Sequence, residues 1–367
     1  MRSPRINLRS GVAGRYPESL EVPAVVVVGQ KIAHRGTTMQ SSDKNVAQGS
    51  STHLDRRGFL KTAAGAAVVG ATSSILLPSR GVWAAPTAES AAETAVARFY
   101  QTLSDGQKAK IVMPFEHELR KKIHANWHVT EPLIGDDFYT AEQRKLVDDI
   151  LRNVMSNDGY EQLIRQTESD DGGIGAYSMA IFGEPGSDKF QWELTGRHLT
   201  LRADGNTVDR AAFGGPIIYG HGEEDVKANL YYYQTKQVNE VFSALDPKQM
   251  EQALQPKAPV ENAVEIQGPG KSYPGLAISE LSADQRELVE KSLKVLLAPY
   301  RSEDVDEVME ILKASGGIEQ LHLAFYRDKD LENDKVWDVW RVEGPAFVWH
   351  FRGAPHVHAY INIGQVG

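Results

Sequence analysis

The phrase Thr140-Ala141-Glu142-Gln143-Arg144-Lys145-Leu146-Val147 is answered later in the chain by Ser282-Ala283-Asp284-Gln285-Arg286-Glu287-Leu288-Val289. The echo continues in order. Gly172-Gly173-Ile174 returns as Gly316-Gly317-Ile318, and Ala180-Ile181-Phe182 as Ala324-Phe325-Tyr326. Trp192-Glu193-Leu194-Thr195-Gly196 returns as Trp340-Arg341-Val342-Glu343-Gly344. An internal repeat constrains a fold more than any local propensity, because each copy must bury the same apolar faces. The pattern predicts two divergent copies of a helix–helix–strand–strand–hairpin unit, at about 86–255 and 276–367. The stretch 255–275, rich in Pro and Gly, reads as the connection. Two such units can bury their sheets and helices against each other. The expected fold is therefore α+β, with mainly antiparallel sheets related by a pseudo-twofold, in one globular domain over 86–367.

Local signals fill in the units. Ala92, Val96, Phe99, Tyr100 and Leu103 follow helical spacing, and Ser104 or Asp105 can cap a helix through Lys110. Helices are expected from Thr140 to about Met155, from about Gly159 to Gln166, and from Leu230 to Leu245. Asp204-Gly205, between 197–202 and 207–210, carries a hairpin-turn signal.

Chemistry concentrates near the C-terminus. Phe347, Trp349 and Phe351 alternate with Val348, His350 and Arg352; after Gly353-Ala354-Pro355, His356, His358, Tyr360 and Asn362 alternate with Val357, Ala359, Ile361 and Ile363. Period-two alternation around a Gly/Pro turn predicts a hairpin. With a three-residue loop, Arg352 faces His356 and His350 faces His358, with Cβ atoms roughly 5 Å apart. Three imidazoles on one face can ligate a divalent Zn, Fe or Cu ion. The alternatives, in order, are a metal-free polar pocket and an inert exposed face.

The first copy has Leu199-Thr200-Leu201-Arg202 in place of Trp349-His350-Phe351-Arg352, and Thr207-Val208-Asp209 lacks the paired histidines. The second copy is thus the expected active half, with His198, or His221 from Tyr219-Gly220-His221-Gly222, completing a metal shell. Arg352, Arg197 and Arg202 are candidates to hold an anionic substrate group. Glu343, Asp170 and Asp171 are candidate general bases, though each residue type is more often a surface acid.

The chain lacks cysteine, which excludes disulfides, thiolate metal sites and cysteine nucleophiles. A net charge of −9 without a basic stripe argues against nucleic-acid binding. No Gly-x-Ser-x-Gly elbow and no phosphate-binding Gly-Lys-Ser/Thr loop is present. Asp55-Arg56-Arg57-Gly58-Phe59-Leu60-Lys61, the uncharged run from Thr62 to Leu77 and Trp83-Ala84-Ala85-Pro86 look like a twin-arginine export signal over 55–85. The run is short of the roughly 20 apolar residues of a spanning helix, so no stable membrane insertion is expected after processing. Expected partners are the twin-arginine translocation machinery and a small-molecule ligand, with a periplasmic or extracellular location. Residues 1–54 read as a disordered tail or as an upstream extension, Met39 being the better start.

Gly196-Arg197-His198-Leu199-Thr200-Leu201-Arg202, Phe213-Gly214-Gly215-Pro216, Tyr219-Gly220-His221-Gly222 and Trp349-His350-Phe351-Arg352 to His356-Val357-His358 together resemble the family called domain of unknown function 3500. So do Pro114-Phe115-Glu116-His117 and Asn126-Trp127-His128. The resemblance covers about residues 90–365 and implies no reaction and no catalytic residue. From the residues alone, the expectation is an exported His-ligated metalloprotein, hydrolytic or oxidative, acting on a small or anionic substrate. The alternative is a metal-free extracytoplasmic ligand-binding protein.

Overall fold

A computed structural model describes residues 85–208, 210–331 and 333–365. The segment expected to be an export signal, save Ala85, and the residues before it lie outside the described residues. Eight α-helices occur among those described: α1 (Ala91–Thr102), α2 (Asp105–Ile111), α3 (Ala141–Val154), α4 (Asn157–Asp171), α5 (Tyr232–Ser243), α6 (Pro247–Ala253), α7 (Ala283–Leu297) and α8 (Ser302–Ala314). The strands are β1 (Val112–Met113), β2 (Ser178–Gly183), β3 (Phe190–Gly196), β4 (Leu199–Ala203), β5 (Ile217–His221), β6 (Leu254–Gln255), β7 (Leu276–Ala277), β8 (His322–Tyr326), β9 (Val339–Gly344), β10 (Phe347–Arg352) and β11 (Val357–Ile363). None of these helices is long and apolar enough to cross a membrane.

All eleven strands join one open, mostly antiparallel sheet in the order β1-β2-β3-β4-β5-β11-β10-β9-β8-β6, with β7 paired to β8. The expectation of separate sheets packed on each other is corrected here. The two halves add edge to edge, and β5 pairs antiparallel with β11 at the middle. Such a junction removes two sheet edges that would otherwise expose unpaired backbone groups.

Four helices begin with the same device. Ser104, Thr140, Asp246 and Ser282 accept from the backbone N–H three residues on, while Gln107, Gln143, Gln249 and Gln285 reach back to the cap residue's N–H. Each box satisfies two donors that a helix start leaves open. The glutamines also pair with each other, Gln107 with Gln143 and Gln249 with Gln285. A short helix is thereby tied to a long one in each half.

One sheet face carries the main core. Trp192, Leu194, Leu201, Trp340, Trp349 and Phe351 pack there with Val96, Phe99, Ile150, Val238, Leu293 and Val308 of the helices. Each large aromatic removes some 150–250 Å² from water, so the three fully buried tryptophans are among its largest single contributions. Arg301 bridges the halves beneath this layer, its guanidinium donating to both oxygens of Glu93 at 2.9 and 2.8 Å.

The opposite face is more polar and is covered by loops. The segment after β1 lays Trp127 and Val129 over Ala180 and Phe182. The segment after β6 lays Val264 over Val348 and Tyr360. The stretch expected only to connect the halves is thus a cover, held by Arg341 donating to the Ala263 carbonyl and Asn362 to the Val264 carbonyl.

Asp204-Gly205 does not turn a hairpin. The Asp204 carboxylate accepts from the Asn206 and Val208 amides, and the chain continues to Ile217 before pairing as β5. An Asx-type turn gives the same residue signal as a hairpin turn.

Candidate metal centre

The candidate site lies at one end of the β5–β11 seam. Leu199 of β4 pairs Tyr219 of β5, and Val357 of β11 pairs His221, so the β3–β4 turn and the β10–β11 loop arrive at the same end. His198 is the second residue of that β3–β4 turn, between the paired Gly196 and Leu199. Its φ of 56° lies in the left-handed region, sparse for residues other than Gly. Three contacts hold the turn. The His198 amide donates to the Ala125 carbonyl at 2.6 Å, Tyr177 Oη to the Arg197 carbonyl at 2.9 Å, and the His198 ring binds Asp170.

The hairpin register differs from the expected one by two residues. Arg352 pairs His358 and His350 pairs Tyr360, leaving the five residues Gly353–Val357 between the last pair instead of three. An even shift keeps His350, Arg352 and His358 on the same face, so the facing survives while the neighbours change. His356 belongs to the loop and His358 to β11. A ring nitrogen from each of His198, His356 and His358 lies within 4.8 Å of the others, a group that could hold a metal ion.

Carboxylates orient two of the three rings. His198 Nδ1 lies 2.8 Å from Asp170 Oδ2, and His358 Nδ1 lies 3.0 Å from Glu261 Oε2. An ionised carboxylate only accepts, so the hydrogen sits on Nδ1 and the lone pair on Nε2. This is how carboxylates fix the tautomer of metal-binding histidines. His356 and His358 approach Nε2 to Nε2 at 3.1 Å. Nitrogens at most 4.8 Å apart lie within about 2.8 Å of a common centre, against ~2.1 Å for a Zn–N bond, so closure by less than about 1 Å would complete a shell.

The local field favours neutral rings. Burial, then the neighbouring His358 and Arg352, pushes His356 down to about 4. Burial also lowers His358, against the raising effect of Glu261. Burial works against ionising Glu261, but its hydrogen bond to His358 and the Arg352 cation outweigh it and hold the carboxyl at about 2. Asp170 is likewise lowered, burial being overcome by the His198 contact and the Gly222 amide.

Other candidate residues are placed elsewhere. His350 is buried, lies beside Arg341 on the neighbouring strand and has no hydrogen-bond partner at Nδ1 among the described residues. Burial and then Arg341 push it down to about 3. His221 belongs to the opposite, helix-facing side of β5, where Nε2 meets Ser169 Oγ at 3.1 Å and Nδ1 accepts from the Leu230 amide. Arg202 is buried along β4 in a 2.7 Å pair with Glu193 and donates to the Pro216 and Arg120 carbonyls. Glu343 is paired with Arg341 and Gln267, and Asp171 is exposed at the end of α4.

Arg352 donates to Glu261 at 2.6 Å and to the His356 carbonyl, so it braces the site. Arg197 differs. Its guanidinium makes no hydrogen bond or ion pair among the described residues and lies near enough to His356 to help lower its pKa. Gly222 backs it, since a Cβ there would meet Asp170 Oδ1 at 2.9 Å, Arg197 Nη2 at 3.2 Å and the His198 ring at 3.3 Å. The glycine provides room for the site.

Glu261 was not foreseeable from its neighbourhood, Val260-Glu261-Asn262 in a loop with no periodicity. Asp170 was visible as an acid, but its role as a histidine partner follows only from the turn of α4 toward the β3–β4 loop.

A family model described as a protein of unknown function, DUF3500, matches residues 85–361. No curated protein matches the chain, and no solved structure does.

Proposed function

We propose, for a chain that belongs to the DUF3500 family and whose family description names no reaction, that it is a metalloprotein using His198, His356 and His358 as ligands for one Zn, Fe or Cu ion. The observation that carries this reading is the convergence of three imidazoles, two of them held through Nδ1 by separate carboxylates. A solvated polar face has no need of that orientation. Imidazole suits each of these metals, and three protein ligands leave a position for water or substrate. A bound ion would supply Lewis acidity or redox chemistry there.

The chain's own residues divide the remaining work. Asp170 and Glu261 fix the rings, and Arg352 keeps Glu261 ionised and in place. Arg197 is the group available to grip an anionic substrate, which makes a small anion the favoured substrate class. The twin-arginine segment supports export of the folded chain by the twin-arginine machinery to the periplasm or beyond.

We also read the halves as divergent copies related by a pseudo-twofold. The paired capping boxes, the two Gln–Gln contacts and the mirrored strand order about β5 and β11 support this.

Elemental analysis of chain purified without a His tag or chelator tests the metal reading. About one Zn, Fe or Cu per chain is expected. No binding after incubation with each ion in turn overturns it, and the Arg197 and histidine cluster then stands as a metal-free anion site.

A further inference from the structure

Arg197, one residue before His198, is half-buried, and its guanidinium has no hydrogen bond or ion pair among the described residues. The backbone beneath it is fixed. Its carbonyl accepts from Tyr177 Oη at 2.9 Å, and Asn126 pairs with it across an antiparallel bridge. Residues opposite each other in such a bridge point to the same side, with Cβ atoms roughly 5 Å apart. Asn126 is exposed, and its side-chain amide makes no hydrogen bond among the described residues either. A planar fork and an amide N–H therefore stand side by side at the site, both reachable from solvent.

Gly222 bounds the reach between this pair and the imidazoles. Arg197 Nη2 and His198 Cε1 both lie within 3.3 Å of the point where a Cβ on Gly222 would stand, so they are at most about 6.6 Å apart. Cε1 is bonded to Nε2, the nitrogen left for an ion once Nδ1 faces Asp170. Metal–ligand contacts of ~2.1 Å at one end and charge-assisted hydrogen bonds of about 2.8 Å at the other leave a bridging molecule at most about 5 Å between its outer oxygens. Charge then sets its valence. Metal-bound imidazoles are neutral. Arg352 offsets Glu261, and Asp170 offsets one charge of a divalent ion. Of the other nearby acids, Glu223 turns to the Asp225 amide and Asp171 is exposed. A divalent ion and Arg197 thus leave two positive charges unmet.

We propose that the site takes a short dicarboxylate, about the length of malonate, with one carboxylate on the ion and the other on Arg197 and Asn126. This rests on the metal reading above and names the ligand for it. A dicarboxylate supplies both negative charges. Each of its ends is acceptor-only, which suits a cation at one side and N–H donors at the other. Arg197 sets the specificity, because its fork matches a carboxylate in two parallel hydrogen bonds. A monocarboxylate reaches only one of the two cations, and a long diacid keeps both contacts only by folding back on itself.

Calorimetric titration of sodium malonate into the chain, loaded with whichever of zinc, iron or copper it holds, tests the proposal. Metal content read before and after excludes stripping of the ion. Acetate and adipate are the companions. One-to-one binding is expected, with malonate at least about tenfold tighter than either. Arg197→Gln should bring malonate down to the strength of acetate while metal content stays that of the parent. The metal-free chain should bind malonate at least about tenfold more weakly than the loaded one. No advantage of malonate over acetate, adipate as tight as malonate, or an advantage that survives Arg197→Gln overturns the proposal and leaves the metal reading standing. Equal binding by the metal-free chain does the same. A chain that takes up no ion overturns both.

Discussion

His358 stands between Glu261 and His356, its Nδ1 3.0 Å from the carboxylate and its Nε2 3.1 Å from the other imidazole. With Nδ1 protonated toward Glu261, the Nε2 lone pair faces His356, and the contact is favourable only if His356 supplies the hydrogen. A metal ion held by these rings would replace that hydrogen with a shared positive centre. His356→Ala and His358→Ala should therefore each lose stoichiometric metal while keeping the circular dichroism of the parent. Full metal occupancy in the double variant would remove these residues from the site.

The carboxylates make a graded prediction. Asp170→Asn and Glu261→Gln leave the ligands in place but loosen ring orientation and basicity, so metal affinity should fall about 10–100-fold. Competition with a chromophoric chelator measures this, and unchanged affinity in both variants would mean the carboxylates serve only the fold.

Arg197 and Arg352 should separate. Arg352→Lys breaks a brace to Glu261 and should weaken metal binding. Arg197→Lys should leave metal unaltered and weaken a small anion, because a planar fork becomes a point charge. Titrating phosphate into the metal-loaded chain, with metal content read in parallel, distinguishes them.

The hairpin's alternation was legible, and so was the face shared by His350, Arg352 and His358, because period two fixes facing whatever the loop length. The loop length itself was not legible: Gly353-Ala354-Pro355 signals a turn without saying where pairing resumes. His198 was legible as a candidate from its place in the first copy. The placement of His221 on the other side of β5 was not, since it depends on which side of the strand packs on helices, and the Gly residues around it hide the alternation. Glu261 lies in a loop whose sequence carries no period at all. The helices were read well, because Thr140-x-x-Gln143 and Ser282-x-x-Gln285 state their own starts.

A buried acid group sets a pH dependence of stability. Burial, then the nearby Asp304 and Asp204, pushes Glu307 up to about 8, while burial raises Asp304 to about 7 against the attraction of Arg301. Both groups hold protons in the folded chain that the unfolded chain releases near pH 4, at about 3.9 for Asp and 4.3 for Glu. These two groups thus bind more protons in the folded chain than in the unfolded one between about pH 4 and pH 8, but the lowered histidines bind fewer up to about pH 6.5. Stability should therefore fall as pH rises from about 6.5 to 8, where the acids act unopposed. Urea unfolding at about pH 6.5 and pH 8 should show it, and Glu307→Gln should flatten the slope. An unchanged slope would show that Glu307 does not titrate in this range.

Arg301 answers both Glu93 and Asp304 in the core. Arg301→Met leaves those acids buried without their cation and should cost about 3–5 kcal/mol by denaturant unfolding. A loss below about 1 kcal/mol would mean that water reaches the cluster.

The seam between β5 and β11 has a last consequence. His198 and Asp170 come from one side of it, and His356, His358 and Glu261 from the other. Neither half alone owns all three histidines, so a metal centre there would work as a coincidence detector for assembly. An ion captured there would certify that both halves have folded and found their register, and a chain stalled halfway would remain chemically silent.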